Sequence, residues 1–474
     1  MNANCRQPLP AVEPRAEFDS AGQVTPAIVL APLLALMLAF GALLSILIPW
    51  SLLETASTKM QRGEFSGGWL LSLAFLSFVV IVRWCVIHVM SFIAQWRQHK
   101  ADAMDRLSWP FVSILVPAFN EAETIQFALG SLIALDYPHF EIVVVDDGSS
   151  DDTYKRAVQF AGDHEQCSVR VFRKPNGGKW SALNFGLEHA SADMILCIDA
   201  DSQLSRESLK RLASHLDDPN VGGVSGQITV RNRANLVTWL QAFEYVAANG
   251  SLRAAQSLLG SVLVVPGPIG LYRRAALEQV AVTGVSGGPQ EPGHASGPFS
   301  HETFAEDFQL SLTVLCLGWR VVYEPRAISY TKSPECVQVL LNQRYRWFRG
   351  TMQVLKIYRQ RLRSLQKSPK SMLYVLLHAG YSIDLYILPL FAMSTVIGIL
   401  VAIADGTTTY ELLLFASAML MLNLMAGTYY VLSQGDQLRI LSVLPLYDVY
   451  NGILLNIAWV IAAVDEARGA RMRW

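Results

Sequence analysis

The chain has 474 residues, with 38 Lys+Arg against 39 Asp+Glu and a net charge of −1. That balance argues against a general nucleic-acid binder, which needs a basic surplus to neutralise phosphates. Hydrophobic residues make up 52% and charged residues only 16%, where a soluble domain carries roughly 25% charged residues; the deficit points to a membrane protein.

Residues 1–26 form a polar N-terminal tail containing Arg6 and Arg15. From Ala27 to Pro49 the chain is almost wholly apolar, long enough to cross ~30 Å of hydrocarbon as a helix and longer than the apolar core of a signal peptide. A second apolar run extends from Gly68 to about Ile93, interrupted by Arg83 and His88, so residues 27–98 read as two transmembrane helices. Arg97, Lys100 and Arg106 follow them, and positive charge favours the cytoplasm. Both the N-terminus and the following domain are therefore expected inside.

Residues 105–350 read as a soluble α/β unit. Strand-like runs lie at Val112–Val116, Ile142–Val145, Val169–Phe172 and Met194–Ile198, with helical patterns at Glu123–Leu135 and Ser181–His189. This alternation predicts a mostly parallel sheet with helices on both faces. The Gly-, Pro- and Ser-rich stretch Val282–His301 reads as a loop. Residues 351–381 mix basic and apolar side chains and suit an amphipathic interfacial segment. About three spans follow within 382–464, at 382–404, 411–433 and 440–464, before a basic tail at 465–474. Three spans would leave that tail outside, against its charge; either the charge rule fails for a short tail or 371–404 hides a further crossing.

Two acidic clusters end two of the predicted strands, Asp146-Asp147-Gly148 and Asp199-Ala200-Asp201. In open α/β sheets, ligands bind at the carboxyl ends of strands. Carboxylates one residue apart there can share a hard cation, Mg²⁺ or Mn²⁺, with phosphate oxygens. Turn and capping chemistry explains a lone Asp equally well, but two clusters at equivalent positions weaken that explanation. Ala305-Glu306-Asp307 precedes the helical run Phe308–Leu317 and reads as a general base or as a helix cap. In Gln343-Arg344-Tyr345-Arg346-Trp347, Arg346 can hold a diphosphate through its bidentate fork and Trp347 offers a flat face to a sugar. The competing explanation is an aromatic, basic membrane belt.

In this order the motifs resemble those of the processive family-2 glycosyltransferases, the membrane synthases of cellulose, chitin, hyaluronan and poly-N-acetylglucosamine. Their D, DxD, TED, QxxRW pattern corresponds here to Asp147, Asp199-Ala200-Asp201, Ala305-Glu306-Asp307 and Gln343–Trp347. Val116–Glu121, Gly178–Asn184 and Gly267–Gly270 followed by Tyr272-Arg273-Arg274 are similar to further segments of that family. The resemblance spans about residues 110–352. It implies a GT-A type, Rossmann-like catalytic domain on the cytoplasmic side, flanked by transmembrane α-helices. It further implies that Asp146 and Asp147 contact uracil and ribose, that Lys179 lies near the diphosphate, and that Asp199 and Asp201 bind the metal. Asp307 is then the base, with Asp201 the more direct metal ligand. Glu306, Gln343 and Arg346 belong to the substrate site, and Trp347 stacks on the acceptor. Ala305 departs from the family's usual Thr, which puts in doubt an acceptor contact by that hydroxyl.

The expected activity is inverting transfer from a UDP-sugar, UDP-GlcNAc or UDP-glucose, onto a growing β-linked polysaccharide extruded through the cell membrane. The expected partners are the bilayer and a small membrane or export subunit, with no nucleic acid. The nearest alternative is a non-processive enzyme adding one sugar to a lipid or short carrier. A catalytically dead scaffold would have no need of all five carboxylates. A transporter would need polar groups inside its spans, and Asp384, Asp405 and Asp448 lie mostly near predicted ends.

Overall fold

The computed structural model describes residues 29–63, 66–101, 108–282, 297–365, 383–393, 395–396 and 410–470. The polar tail 1–26, residues 283–296 of the expected loop, 366–381 of the expected interfacial segment, residues 382, 394 and 397–404 of the expected span 382–404 and residues 471–474 of the basic tail lie outside them.

Two long helices, Ala31–Gln61 and Ser66–Ala101, open the structure. They are apolar all round: Leu34, Met37, Leu44, Ile48 and Leu52 are buried, while Leu36, Leu43, Ile46 and Leu47 face outward. A helix that exposes large apolar residues on its free face is built for lipid. The crossing is close because Gly41 faces Cys85, whose sulfur would lie 2.6 Å from a Cβ at that position. Among the described residues, Ala31–Gln61, Leu70–Gln98, Ala416–Gln434 and Leu438–Ala467 are long and apolar enough to cross a membrane.

Between the helices lies a nine-stranded sheet: β1 Val112–Ala118, β2 Phe140–Asp146, β3 Gly162–Asp163, β4 Cys167–Arg173, β5 Met194–Cys197, β6 Gln203–Leu204, β7 Val221–Val230, β8 Gly270–Arg273 and β9 Arg320–Thr331. The strand order is β3-β4-β2-β1-β5-β8-β7-β9-β6. The four strands anticipated from sequence form its parallel half, with Val112 opposite Phe140 and Met194, and Phe140 opposite Cys167. These strands are covered on both faces: Ile114, Val116, Ile142 and Val144 join one core and Leu115, Val143 and Val145 the other, as the two-residue strand period requires.

The other half of the sheet departs from the mostly parallel expectation. β8 runs antiparallel to both β5 and β7, β6 is antiparallel to β9, and only β7 and β9 pair in parallel. The chain leaves β7 into the helices Leu236–Phe243 and Gly250–Leu258 and re-enters the sheet from the same end, a connection that can only yield an antiparallel neighbour. The reversal has a functional consequence: Cys197 at the end of β5 pairs with Gly270 at the start of β8, so the Pro266–Gly270 turn lies beside Asp199.

The catalytic unit is tied to the helices at several points. The Gln98 side-chain amide donates to the Tyr323 carbonyl at 2.6 Å, and Arg233 forms a two-point ion pair with Asp436 at 2.5 and 2.7 Å. Near the far end of the last helix, Asp465 accepts from the Tyr345 hydroxyl at 2.8 Å.

Candidate active site

The carboxyl ends of β1, β2 and β5 build one wall of a large cleft. Asn120, after β1, adopts a left-handed backbone (φ 55°), a conformation Asn tolerates better than most residues. Its side-chain oxygen accepts from the Ser150 amide at 2.9 Å, and its own amide donates to the Ser149 hydroxyl at 2.9 Å. The turns after β1 and β2 are thereby held together. Asp147 accepts from the backbone amides of Gly177 and Gly178, the latter at 2.7 Å, and from Lys174 Nζ at 2.7 Å, so it organises the loop leading into the helix Lys179–His189 while lining the cleft. Asp146 differs from its neighbour. It is fully buried with Arg173 Nε 3.1 Å away, and it sits behind the cleft wall rather than on it.

The centre of the cleft is densely charged. Lys179 Nζ lies 2.5 Å from Asp199 Oδ1 and 3.6 Å from Glu306 Oε1. A Cβ on Gly267 would come within 2.6 Å of that ammonium, so glycine lets the turn before β8 close over the pair. Burial alone would lower the Lys179 pKa, but Asp199 and Glu306 outweigh it and hold the side chain more firmly protonated than usual. Burial, and then the charge of Asp199, pushes the Asp201 carboxyl up, although the Ser202 hydroxyl donates to it at 3.0 Å. Glu121 is likewise raised, by burial first and then by Asp201 and Asp199.

Burial is the larger cause of both shifts, but the carboxylates of Glu121, Asp199 and Asp201 line the same cleft, and carboxylate oxygens are donors that suit a divalent cation. Among the described residues no three His, Cys, Asp or Glu side chains converge as a cage. A Mg²⁺-type ion is commonly held by one or two carboxylates plus substrate phosphates, and Asp199 and Asp201 fit that arrangement.

Asp307 lies in the first turn of the helix Glu306–Cys316. Its carboxylate accepts from the Phe308 amide at 2.7 Å. Burial and then Glu306 raise its pKa to about 6, with Lys179 opposing, which leaves a carboxylate that is ionised at neutral pH yet basic enough to take a proton. Gln343, Arg346 and Trp347 project from one side of the helix Val337–Leu365 into the cleft, as their three- and four-residue spacing requires. One turn on, Gly350 packs against Ala305 so closely that a Cβ would meet the Ala305 nitrogen at 2.6 Å. The position where the related pattern has Thr thus serves as a contact between two motif-bearing helices.

All of the site residues named from sequence except Asp146 share one cavity of about 1380 Å³ that reaches Leu385 and Leu455 of the membrane-side segments. That exceeds the roughly 300–1,000 Å³ of a site for one small ligand. Sequence reading gave no role to Phe119, Glu121, Glu244, Tyr245 or Arg344, which also line it. Phe119 and Glu121 lie inside the Val116–Glu121 motif and Arg344 inside Gln343–Trp347; Glu244 and Tyr245 carried no signal.

Residues 113–281 match the family model described as Glycosyl transferase family 2. A poly-beta-1,6-N-acetyl-D-glucosamine synthase of Staphylococcus epidermidis is 30% identical over 267 residues, covering 56% of this chain and 60% of that relative. The synthase of Staphylococcus aureus (strain COL) is 29% identical over 245 residues, covering 52% and 55%. The chain thus spans somewhat over half the length of these relatives. Among solved structures, mannosyltransferase PcManGT from Pyrobaculum calidifontis, in complex with GDP-Man and Mn²⁺, aligns with a TM-score of 0.53 at 21% identity, covering 82% of this chain and 98% of that one; the likeness is one of fold. Motif order, mixed sheet and family match coincide on one region: residues 113–281 are similar to family-2 glycosyltransferases, and the fold there is of GT-A architecture.

Proposed function

We propose that the chain is an inverting, processive glycosyltransferase that polymerises a UDP-sugar into a β-linked polysaccharide at the cell membrane. The observation that carries the reading is the single cavity that joins Asp199, Asp201 and Asp307 to Gln343, Arg346 and Trp347 and continues to Leu385 and Leu455. It offers room for a donor and for a chain leaving toward the membrane. UDP-GlcNAc is the first donor to test, because the named relatives are poly-N-acetylglucosamine synthases; UDP-glucose is the second.

In this reading the uridine lies against Phe119 and Asp147, with Asp146 supporting the wall from behind. Lys179, Gln343 and Arg346 bind the diphosphate, and Glu306 keeps Lys179 charged. Asp307 takes the proton from the acceptor hydroxyl as that oxygen bonds to the anomeric carbon. The bond from that carbon to the diphosphate oxygen breaks on the opposite face, and UDP leaves with the electron pair. Trp347 carries the acceptor sugar on its ring face. Asp199 and Asp201 would hold Mg²⁺ or Mn²⁺, which supplies positive charge to the leaving diphosphate. The catalytic domain faces the cytoplasm, and a small membrane or export subunit is the expected partner.

The test is product analysis. Purified protein in detergent is given radiolabelled UDP-sugars one at a time, and the product is sized and digested with linkage-specific hydrolases. Polymer from one donor is the expected result. Addition of a single sugar, or no transfer from any UDP-sugar, would defeat the reading.

A further inference from the structure

At the membrane-side floor of the cavity, Glu244 Oε2 accepts from Arg344 Nη2 at 2.8 Å and from the Tyr450 hydroxyl at 2.8 Å. The Arg344 side chain is 2% exposed and that of Glu244 14%. The Arg344 guanidinium carbon lies 4.2 Å from the centre of the Trp347 ring and 5.7 Å from that of Tyr245. Trp347 itself is 41% exposed. Two of these residues occupy an uncommon backbone: Glu244 opens the π-helical turn Glu244–Asn249, and Tyr450 opens another, Tyr450–Leu455. Isolated π-turns are rare and concentrate at functional sites, and here two of them meet through one hydrogen bond.

The charge of Arg344 is already matched by Glu244, so this arginine is not free to serve a diphosphate as its neighbour Arg346 can. What it does is occupy one face of the indole, attracted by the ring's electron-rich surface. With that face covered, the exposed part of the ring is what a sugar can meet. A buried ion pair adds little net stability compared with apolar side chains of the same volume, so fold stability does not account for this one.

We infer that Glu244, Arg344 and Tyr450 are positioning residues: Arg344 covers one face of Trp347 on its own helix, Glu244 and, from the membrane-side segment, Tyr450 hold Arg344 there, and together they fix the orientation in which the acceptor sugar is held. This rests on the polymerase reading above and specifies how that site retains its chain. Arg344 and Glu244 are 100 residues apart in the chain, and Glu244 and Tyr450 are 206 apart, so the clamp couples the catalytic domain to the stretch Leu438–Ala467.

The experiment uses the full chain in detergent and follows UDP release and product length in the same reaction. Tyr450→Phe removes one hydrogen bond without a change of shape. It is expected to shorten the product by about tenfold, the scale of one bond to a charged group, with UDP release per enzyme kept within about twofold. The double variant Glu244→Gln with Arg344→Met removes the pair without stranding a buried charge; it is expected to give the shortest products at an unchanged melting temperature. An unaltered length distribution in the double variant overturns the inference. So does a parallel fall of UDP release and length in Tyr450→Phe, which would mark general support of the fold. A wild-type product of one sugar overturns the polymerase reading itself, before any variant is compared.

Discussion

Asp307 combines two properties that its surroundings impose together. Burial and the neighbouring Glu306 carboxylate raise its pKa to about 6, against about 3.9 in an unfolded chain. Protonation is therefore favoured by folding: the stability linked to this group is fully present below about pH 4 and is lost as pH rises through about 6. Asp307→Asn removes the penalty of the buried charge, so its melting temperature at pH 7 should equal or exceed that of the parent, with the gap closing at pH 4. The same variant should lose about 10²–10⁴-fold in transfer, the usual worth of a general base. In the parent, transfer should fall about tenfold per unit below pH 6, as the base is protonated. A variant that melts lower than the parent at pH 7, or an activity flat from pH 7 to 5, would contradict the assignment. Asp201 tests the cation. It lines the cleft together with Asp199, and if the two hold the cation, chelation by EDTA should abolish transfer and added Mg²⁺ or Mn²⁺ should restore it in the parent but not in Asp201→Ala. Undiminished turnover in EDTA would remove the metal from the mechanism.

At the scale of elements, the geometry of the site depends on how the helix Val337–Leu365 docks beside the helix Glu306–Cys316. The contact is Gly350 on Ala305, reinforced by the Phe304 amide donating to the Gln353 side chain at 3.2 Å and the Ala305 amide to the Thr303 hydroxyl at 3.3 Å. A Cβ at position 350 would meet backbone atoms of Phe304 and Ala305 at 2.6–2.8 Å, and backbone cannot step aside as a flexible side chain can. Gly350→Ala should therefore move Asp307 relative to Arg346 and Trp347. Misplacement by about 1 Å costs on the order of 10²-fold in rate. The helix itself gains, since Ala is better than Gly in a helix by about 1 kcal/mol, so the variant should remain folded by size-exclusion profile. Gly130→Ala is the control: it also lies in a helix, Ile125–Ile133, but a Cβ there meets nothing within 4 Å, and turnover should not change. Equal turnover of both variants would show that the Gly350 contact does not set the site.

For the whole molecule, the informative stretch is Leu438–Ala467, which length and composition alone would allow to cross a membrane. It is fastened to the catalytic domain near both ends and in the middle: Asp436 to Arg233, Tyr450 to Glu244, and Asp465 to Tyr345. A helix crossing ~30 Å of hydrocarbon would carry one end far from the domain. Its exposed apolar residues Leu446, Val449, Ile453, Ile457, Ile461 and Val464 follow a three-to-four-residue spacing, as on a helix lying in the interface with its other face on protein. On this argument residues 465–470 lie on the same side of the membrane as the domain. With the native cysteines replaced by serine, Arg468→Cys should react with a membrane-impermeant maleimide from the same vesicle face as Lys155→Cys, an exposed domain position. Labelling from the opposite face would restore a full crossing.

What the amino-acid sequence determined by itself was local and periodic. The runs at 112–116, 142–145, 169–172 and 194–198 became the parallel half of the sheet, because a continuous apolar run between turn residues can be satisfied only by burial on both faces. The long apolar stretches at 27–49, 68–93 and 411–433 likewise fall largely in helices, because length and hydropathy suffice to demand it. Asp199, Asp201, Asp307, Gln343, Arg346 and Trp347 could be named from spacing and motif order, and they share one cavity. Tertiary structure decided what spacing cannot encode. β7, β8 and β9 are Gly-rich, very short or irregular, and their directions follow from where the intervening helices return the chain. Asp146 and Asp147 are adjacent in sequence, yet Asp146 is the last residue of β2 and Asp147 the first of the turn after it, which leaves one behind the wall and the other in the cleft. Glu244 and Tyr450 carry no local signal, and Arg344, though inside the Gln343–Trp347 motif, takes its meaning from contacts across 100 and 206 residues that exist only once these segments are packed against one another.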